Sequence, residues 1–426
     1  MGVKWALFPS IQLGWVMTNE TWFPKSNAIN YLRLNAGYDI SGNDGISNYA
    51  ARTSYTTVRF NARAIGTQLT NIGNDKIQWE NTQKMNFGLQ GYFLNNRVGL
   101  NFDYFLHKTD NLLTLKHFNS PIGGINSYWS NGGKLENKGF EATLTVKPVV
   151  EKDWSVEVGA SVGHYKNKVT SLPDGDYTTS VYGDNNILTS VGNPVALFYG
   201  FQTQGVFSSD AEARKAGNGT YLYMEDDAKV VHNFGAGDVH FVDQNSDGKI
   251  DDQDKVVIGD PNPDIYGNVF VTTTWKNLTL HVGFNYSLGN DVFNYERMIL
   301  NSGSTFYNQQ VAEVNRWRYE GQNTDMPRAV YGDPMGNNRM SDRWIEDGSY
   351  LRLKTLSLTY RVPVPGSWTW LQGLSVWAEA QNLLTFTKYL GSDPEFSNGY
   401  SVFSQGIDAG NLAHSRSVTM GLKINL

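Results

Sequence analysis

The chain of 426 residues contains no cysteine. That excludes disulfides, thiolate nucleophiles and cysteine-ligated zinc, and it suits a protein that is exported unfolded. No apolar run approaches the roughly 20 residues that a membrane-spanning helix needs. Charged residues make up only 18%, the net charge is -6 and no basic cluster stands out, so a nucleic-acid partner is not expected. The sequence has no GxSxG, no HExxH and no phosphate-binding glycine loop, and its seven histidines are scattered. An enzyme is therefore not expected. The stretch Met1–Pro9 shows no positive region followed by an apolar one, so no secretory signal is expected there. Either the protein stays inside the cell or this chain is a piece of a longer one.

Glycine and aromatic residues are abundant instead: 43 Gly, 12 Trp and 23 Tyr, with aromatics at 13%. This fits an all-β chain with sharp turns and aromatic girdles. Alternation with a period of two recurs along it. Leu278, Leu280, Val282, Phe284, Tyr286 and Leu288 share one face, against Thr279, His281, Gly283, Asn285 and Ser287 on the other. Further apolar rows are Leu32 to Ile40, Met85 to Leu89, Val98 to Leu106, Phe140 to Val146, Trp154 to Val162 and Val418 to Leu426. The opposite faces carry Asp39, Asp103, Glu141, Glu157 and Glu379. Such carboxylates are costly inside a small dry sandwich but merely wet in the lumen of a large barrel.

The pattern predicts about eleven strands, near 4–16, 30–41, 83–94, 97–113, 134–148, 153–169, 266–275, 277–289, 348–362, 373–387 and 416–426. Leu94–Arg97, Val149–Asp153 and Lys276–Asn277 are short connections; those over roughly 42–82, 114–133, 170–265, 290–347 and 388–415 are long. Short turns at one end and long loops at the other is the rule for outer-membrane barrels, whose long loops face outside. The fold expected is a transmembrane antiparallel β-barrel. In "YLRLKTLSLTY" the apolar parity changes between Leu353 and Leu356, which predicts a β-bulge near Lys354–Thr355. Val311, Val314 and Trp317 recur every three residues and predict a short helix around Asn308–Trp317.

One stretch in the connection 170–265 has the spacing of a calcium loop. In "FVDQNSDGKIDDQD", Asp243, Asn245 and Asp247 hold positions 1, 3 and 5, and Gly248 permits the turn at position 6. Lys249 offers a backbone carbonyl at position 7, and Asp251 and Asp254 hold positions 9 and 12, with Ile250 as an apolar anchor. Hard oxygens at this spacing favour calcium. Asp254 is shorter than the usual Glu, so the expected affinity is weak and the role structural. The bland alternative is an Asx-rich turn without metal. Trp5, Trp15, Trp154 and Trp275 lie near strand ends, as in an interfacial girdle. Tyr128, Trp129, Tyr182, Tyr199 and Phe306 lie in long connections, where they either meet a sugar ring or a lid protein, or pack within the loops.

Several stretches resemble the C-terminal half of the SusC/RagA family of TonB-linked outer-membrane transporters. These are "LFPSIQLGW", "LRLNAGYDISGNDGISNY", "NKGFEATLT", "PVALFYGFQTQGVF", "GDVHFVDQNSDGKIDDQDKVVIGDPNPDIYGN", "DGSYLRLKTLSLTY" and "AQNLLTFTKYLGSDPEF". They occur in the family's order and cover nearly the whole chain. The resemblance implies a barrel of roughly 22 strands closed around a plug, energy input through TonB, a SusD-like surface lipoprotein as lid, and oligosaccharide or peptide fragments as substrate. Residues 1–426 then represent the C-terminal part of the barrel, with 170–265 as an extracellular loop. Plug, TonB-contacting region and first strands are not recognisable here, and Leu426 stands where the family usually ends in an aromatic residue. An isolated half-barrel leaves unpaired backbone at two edges in lipid, so a longer parent protein is expected. The rival reading is a soluble secreted β-protein that binds glycan through a calcium-stiffened loop.

Overall fold

Eleven antiparallel strands follow one another across a single sheet, each hydrogen-bonded to the next in chain order. They are β1 (Ser10–Val16), β2 (Ile29–Asn43), β3 (Glu80–Phe93), β4 (Val98–Asp110), β5 (Lys134–Val150), β6 (Trp154–Ser171), β7 (Ile265–Trp275), β8 (Leu278–Leu288), β9 (Tyr350–Val362), β10 (Gly373–Thr387) and β11 (Ser417–Asn425). This computed structural model describes residues 5–60, 64–122, 125–182, 186–226, 228–367, 370–399 and 401–426. Among them β1 and β11 are the sheet's two edges and form no ladder with each other. No helix of the described residues is long and apolar enough to cross a membrane, and crossing by strands is a separate matter.

The register converts the alternation of each strand into hoops. Leu144, Ala160, Val269, Phe284, Leu353 and Leu384 lie side by side across β5 to β10. One residue along, Asn101, Thr143, Ser161, Asn268, Asn285, Arg352 and Thr385 form a polar hoop on the opposite face. Successive side chains of a strand point to opposite faces, so every apolar hoop is backed by a polar one. The apolar face is largely bare: Leu144, Val269 and Leu384 are exposed, as are Phe87, Val158, Leu280 and Met420. Trp154 and Trp275 stand opposite each other where β6 and β7 meet their tight turns. On the polar face Asp39 approaches Lys84, Glu157 pairs with Lys147 at 3.3 Å and Glu141 accepts the Tyr266 hydroxyl.

The expected bulge is present. Leu353 and Thr355 take consecutive partners on β8, and Lys354 is skipped on both neighbouring strands. The extra residue lets Leu351 and Leu353 share a face with Leu356, Leu358 and Tyr360 despite their change of parity. At the tight turn after β3, Leu94, Asn95 and Asn96 have φ of 53°, 58° and 60°, a left-handed run that asparagine tolerates best.

The long connections are folded. Ser54–Phe60 pairs with Ala64–Asn71, and Leu113–Ile122 pairs with Ile125–Asn131; neither hairpin is evident from alternation in the sequence. Tyr177–Ser180, Asn186–Thr189, Leu197–Phe201 and Lys255–Gly259 make a small sheet of their own. The expected helix around Asn308–Trp317 is a 3-10 turn over Val311–Asn315. Its Val311 and Val314 are exposed and Glu313 is buried, so the three-residue spacing there marks no packed face. Two short helices, α1 (Asp210–Ala216) and α2 (Tyr295–Leu300), complete this layer.

Candidate functional site

Nearly all the fully buried apolar side chains belong to the loop layer rather than to the wall. One cluster gathers Phe201, Phe207, Leu222, Phe234, Val239, Phe241, Ile250 and Met335. A second gathers Ile187, Phe198, Phe293, Met298, Met340, Trp344 and Ile407. Arg339 lies against the aromatic rings of the first, 4.8 Å from the centre of Phe241 and 5.1 Å from Phe201. Burial pushes its guanidinium down to about 10, so it keeps its charge at neutral pH and supports cation–π contact.

Two polar ties join separate connections, and a third joins a connection to the wall. Asp238 is fully buried and receives both Nε and Nη2 of Arg328, at 2.8 and 2.9 Å. Asp342 accepts the amide and hydroxyl of Thr203. At the head of β9, Arg352 pairs with Asp393 and reaches Glu395 at 2.9 Å, while the amide and ring of His414 donate to Asp393. Burial alone raises the Asp393 carboxyl, but these donors outweigh it and hold it below the usual range. Nearby, burial and then the Asp408 carboxylate push the Tyr389 hydroxyl up; it donates to Asp408 at 2.6 Å.

The sequence-predicted metal residues fall on one edge of the first cluster. Ile250 is buried in that cluster, and its amide and the Gly248 carbonyl bracket Tyr223. Gly248 has φ of +81° and Ser246 of +61°. The Asp243 carboxylate accepts the amides of Asp247 and Gly248, Asn245 accepts Asp247, Asp247 accepts Lys249, and Asp251 accepts Gln253. The turn is thus closed by its own side-chain oxygens, as Asx turns are. Asp243, Asn245 and Asp247 come together as hard oxygen donors within the turn. Asp254 does not join them in the same way: it is fully buried, and its two oxygens take the amides of Gln244 and Asp251. The Lys249 ammonium lies 3.3 Å from Asp251 and 3.2 Å from Glu225. The donor chemistry fits a hard cation, with Lys249 as its rival for Asp251. Among the described residues no group of three or more His, Asp or Glu could hold a metal by itself; at this turn Asn245 and the Lys249 carbonyl would complete the set.

The aromatic residues divide. Tyr182 lies against Tyr295, with ring centres 5.1 Å apart, and bonds Asn398; Tyr199 is paired within the small sheet, and Tyr128 and Trp129 within a hairpin. Phe306 is 91% exposed and stacks on exposed Tyr331 at 4.9 Å. Sequence spacing gave no sign of this second partner, which lies beyond any local period.

An apolar-out, polar-in antiparallel sheet, with tight turns at one end and a folded loop layer at the other, defines a transmembrane β-barrel wall of the outer-membrane type. The comparisons with known proteins agree. The chain is 32% identical to TonB-dependent receptor P3 of Formosa agariphila, over 99% of its own length and 42% of that protein's. It is 27% identical to TonB-dependent receptor SusC of Bacteroides thetaiotaomicron, over 99% and 40%. Among solved structures, the RagAB peptide transporter superposes with a TM-score of 0.77 at 24% identity, covering 98% of this chain and 43% of that one. That likeness shows a shared fold. No protein-family model matches the chain. Over its whole length the chain is homologous to part of the SusC/RagA family of TonB-dependent receptors, and it spans about 42% of the length of curated relatives it matches.

Proposed function

We propose that the chain supplies part of the barrel wall and mouth of a TonB-dependent importer in the outer membrane, for oligosaccharide or peptide fragments. The observation that carries this is the run of apolar hoops backed by polar hoops, in a relative of TonB-dependent receptors. In lipid each unpaired backbone group costs several kcal/mol, so β1 and β11 are proposed to be closed by further strands. In the working transporter a SusD-like surface lipoprotein captures the fragment, a plug moves under the pull of TonB, and the polar face lines the path. The long connections lie outside the cell, and the exposed Phe306–Tyr331 pair is assigned to contact with the lid. The chain's role is passage, not catalysis. Brominated phospholipids test the wall: Trp154 and Trp275 should be quenched on reconstitution. A monomer that is stable in water without detergent, with unquenched tryptophans, overturns the membrane reading in favour of the soluble glycan binder.

The turn from Asp243 to Asp254 is proposed to take calcium as a structural ion. Asp243, Asn245, Asp247 and the Lys249 carbonyl would hold it, with Asp251 released from the Lys249 ammonium; Asp254 serves the turn from its buried side. Calcium would supply a fixed positive charge among carboxylates and stiffen a long connection. Calorimetric titration should show weak binding that is lost in Asp243→Ala/Asp247→Ala and tightened in Lys249→Met. Amide exchange over 241–254 that is the same with calcium and with chelator would refute it.

A further inference from the structure

The outer face of β4, β5 and β6 changes character abruptly at the loop end of the wall. The apolar rows end with Leu106 on β4, Phe140 on β5 and Val162 on β6. Continuing the same face beyond them come Lys108 on β4, Lys138, Glu136 and Lys134 on β5, and His164, Lys166 and Lys168 on β6. With Asp110, this patch has five lysines and two carboxylates. Both carboxylates are already engaged: Glu136 faces Lys108 at 3.8 Å and Asp110 holds Lys134 at 2.9 Å. Lys138 and Lys166 stand directly opposite each other across the β5–β6 ladder, and Lys168 is next on the same face. All three are exposed, and among the described residues none has an ion-pair partner. Like charges placed directly opposite in a sheet repel. Glu136 stands opposite Lys168 on the ladder, and Asp260 and Asp264 line the cleft beside the trio, but among the described residues none of these carboxylates forms an ion pair with it. The rows of β7 to β11 end in Ile265, Leu288, Leu351, Phe386 and Val418; among the described residues single cations, Lys388 and Arg416, follow the last two, and no cluster of lysines does.

We propose that Lys138, Lys166 and Lys168 bind the phosphate of a phosphorylated glycolipid headgroup in the outer leaflet. Position selects the occupant. The trio continues the lipid-facing rows without a break, one outward residue beyond Phe140 on β5, where headgroups meet a barrel wall. Clustered lysines at that level attract anionic lipid. The trio rims a cleft of about 440 Å³ that also includes Pro194, Asn262 and the carboxylates of Asp260 and Asp264. A phosphate belongs on the lysine rim, and sugar hydroxyls can donate to the carboxylates, while the Asn262 side chain is already engaged by Tyr165, Asn167 and Asp260. The His164 ring is held apart by a 2.5 Å contact with the Asp264 carbonyl.

The assignment rests on the loop layer facing outward. The test uses the assembled outer-membrane protein that contains this chain, purified in detergent. Native mass spectrometry then follows binding of lipid A, lipid A stripped of its phosphate, and inorganic phosphate. Lys138→Gln/Lys166→Gln/Lys168→Gln should weaken lipid A binding by about a hundredfold, from roughly one kcal/mol per lysine, and so should removal of the phosphate. Lys108→Gln/Lys134→Gln should change it far less. Retained heat-modifiable migration in gels shows that each variant is folded. Equal binding by the triple variant, equal binding of the dephosphorylated lipid, or comparable binding of inorganic phosphate overturns the site. Lys215→Cys, in exposed α1, labelled in intact cells by an impermeant maleimide, reports the orientation; the absence of other cysteines makes the signal clean. A Lys215→Cys variant that stays unlabelled while lipid A binding is intact overturns the outward reading, whereas labelling with lost binding overturns the site alone.

Discussion

Removing Arg328 should open the loop layer without disturbing the wall. Asp238 is fully buried and has four donors: Nε and Nη2 of Arg328, Nδ2 of Asn337 at 3.1 Å and the amide of Gly235 at 2.9 Å. Arg328→Met leaves a buried carboxylate with two neutral donors. Breaking a buried pair from one side costs about 3–5 kcal/mol. The Arg328 side chain is 38% exposed, so the lower end, about 3 kcal/mol, is the expectation. Hydrogen exchange reads it directly. The amides of Gly237 and Val239 bond the Phe207 carbonyl and Asn337 Oδ1 and should exchange about a hundredfold faster, while amides of β6 and β7 keep their rates. Asp238→Asn in the same chain should recover much of the loss, because the neutral amide needs no counter-charge. A single variant whose Gly237 and Val239 rates change by less than about threefold, or a double variant worse than both singles combined, refutes the reasoning.

Three further outcomes follow from the same geometry. Ile250→Ala, at a side chain buried in the first cluster, should cost about 2–5 kcal/mol locally, seen as protease sensitivity confined to residues 203–254. Deleting Lys354 removes the bulged residue and leaves Leu351, Leu353 and Leu356 in unbroken alternation on the apolar face; the variant should keep the heat-modifiable gel band of a folded barrel, and loss of that band would refute the reading of Lys354 as the extra residue. Acid should release the segment 388–416 from the head of β9. The Asp393 carboxyl is held below its ordinary value, so its contribution is present above the unfolded value, near pH 4, and is lost as pH falls through the folded value. Exchange of the His414 amide, which donates to Asp393, should be protected at pH 5 and become fast in stronger acid, and Asp393→Asn should remove that dependence.

The wall was legible because its determinants are local and periodic. A strand that faces lipid on one side and water on the other must alternate, and each of the eleven does so over its own residues, as at Leu278–Leu288. Even the bulge shows, since a skipped residue reverses the parity between Leu353 and Leu356. The loop layer obeys no such rule. Ile187, Phe198, Phe293 and Ile407 meet in one cluster from separated stretches, and no period in the sequence links one stretch to another. The spacing of Val311, Val314 and Trp317 misleads for the same reason: three residues per turn suits a 3-10 segment whose valines face outward. The calcium-type turn is intermediate. Its Asx bonds and its Ile250 anchor are local and readable, but the competitor for Asp251 is the ammonium of Lys249, held by Glu225 from a different hairpin.

This division has a mechanical consequence. The wall draws its order from continuous ladders, whereas the mouth draws its order from two apolar clusters and a few buried ion pairs that bridge connections. Arg352 belongs to both: it sits in β9 at the polar hoop and holds Asp393 and Glu395 of the segment beyond β10. A push on that segment is therefore felt at β9, next to the bulge at Lys354, where the ladder is already interrupted. Lys354 itself also reaches Glu395 at 3.2 Å, so the same interruption that re-aims the strand supplies the second cation of the tie. Mouth and wall are coupled at the wall position where the strand's periodicity yields.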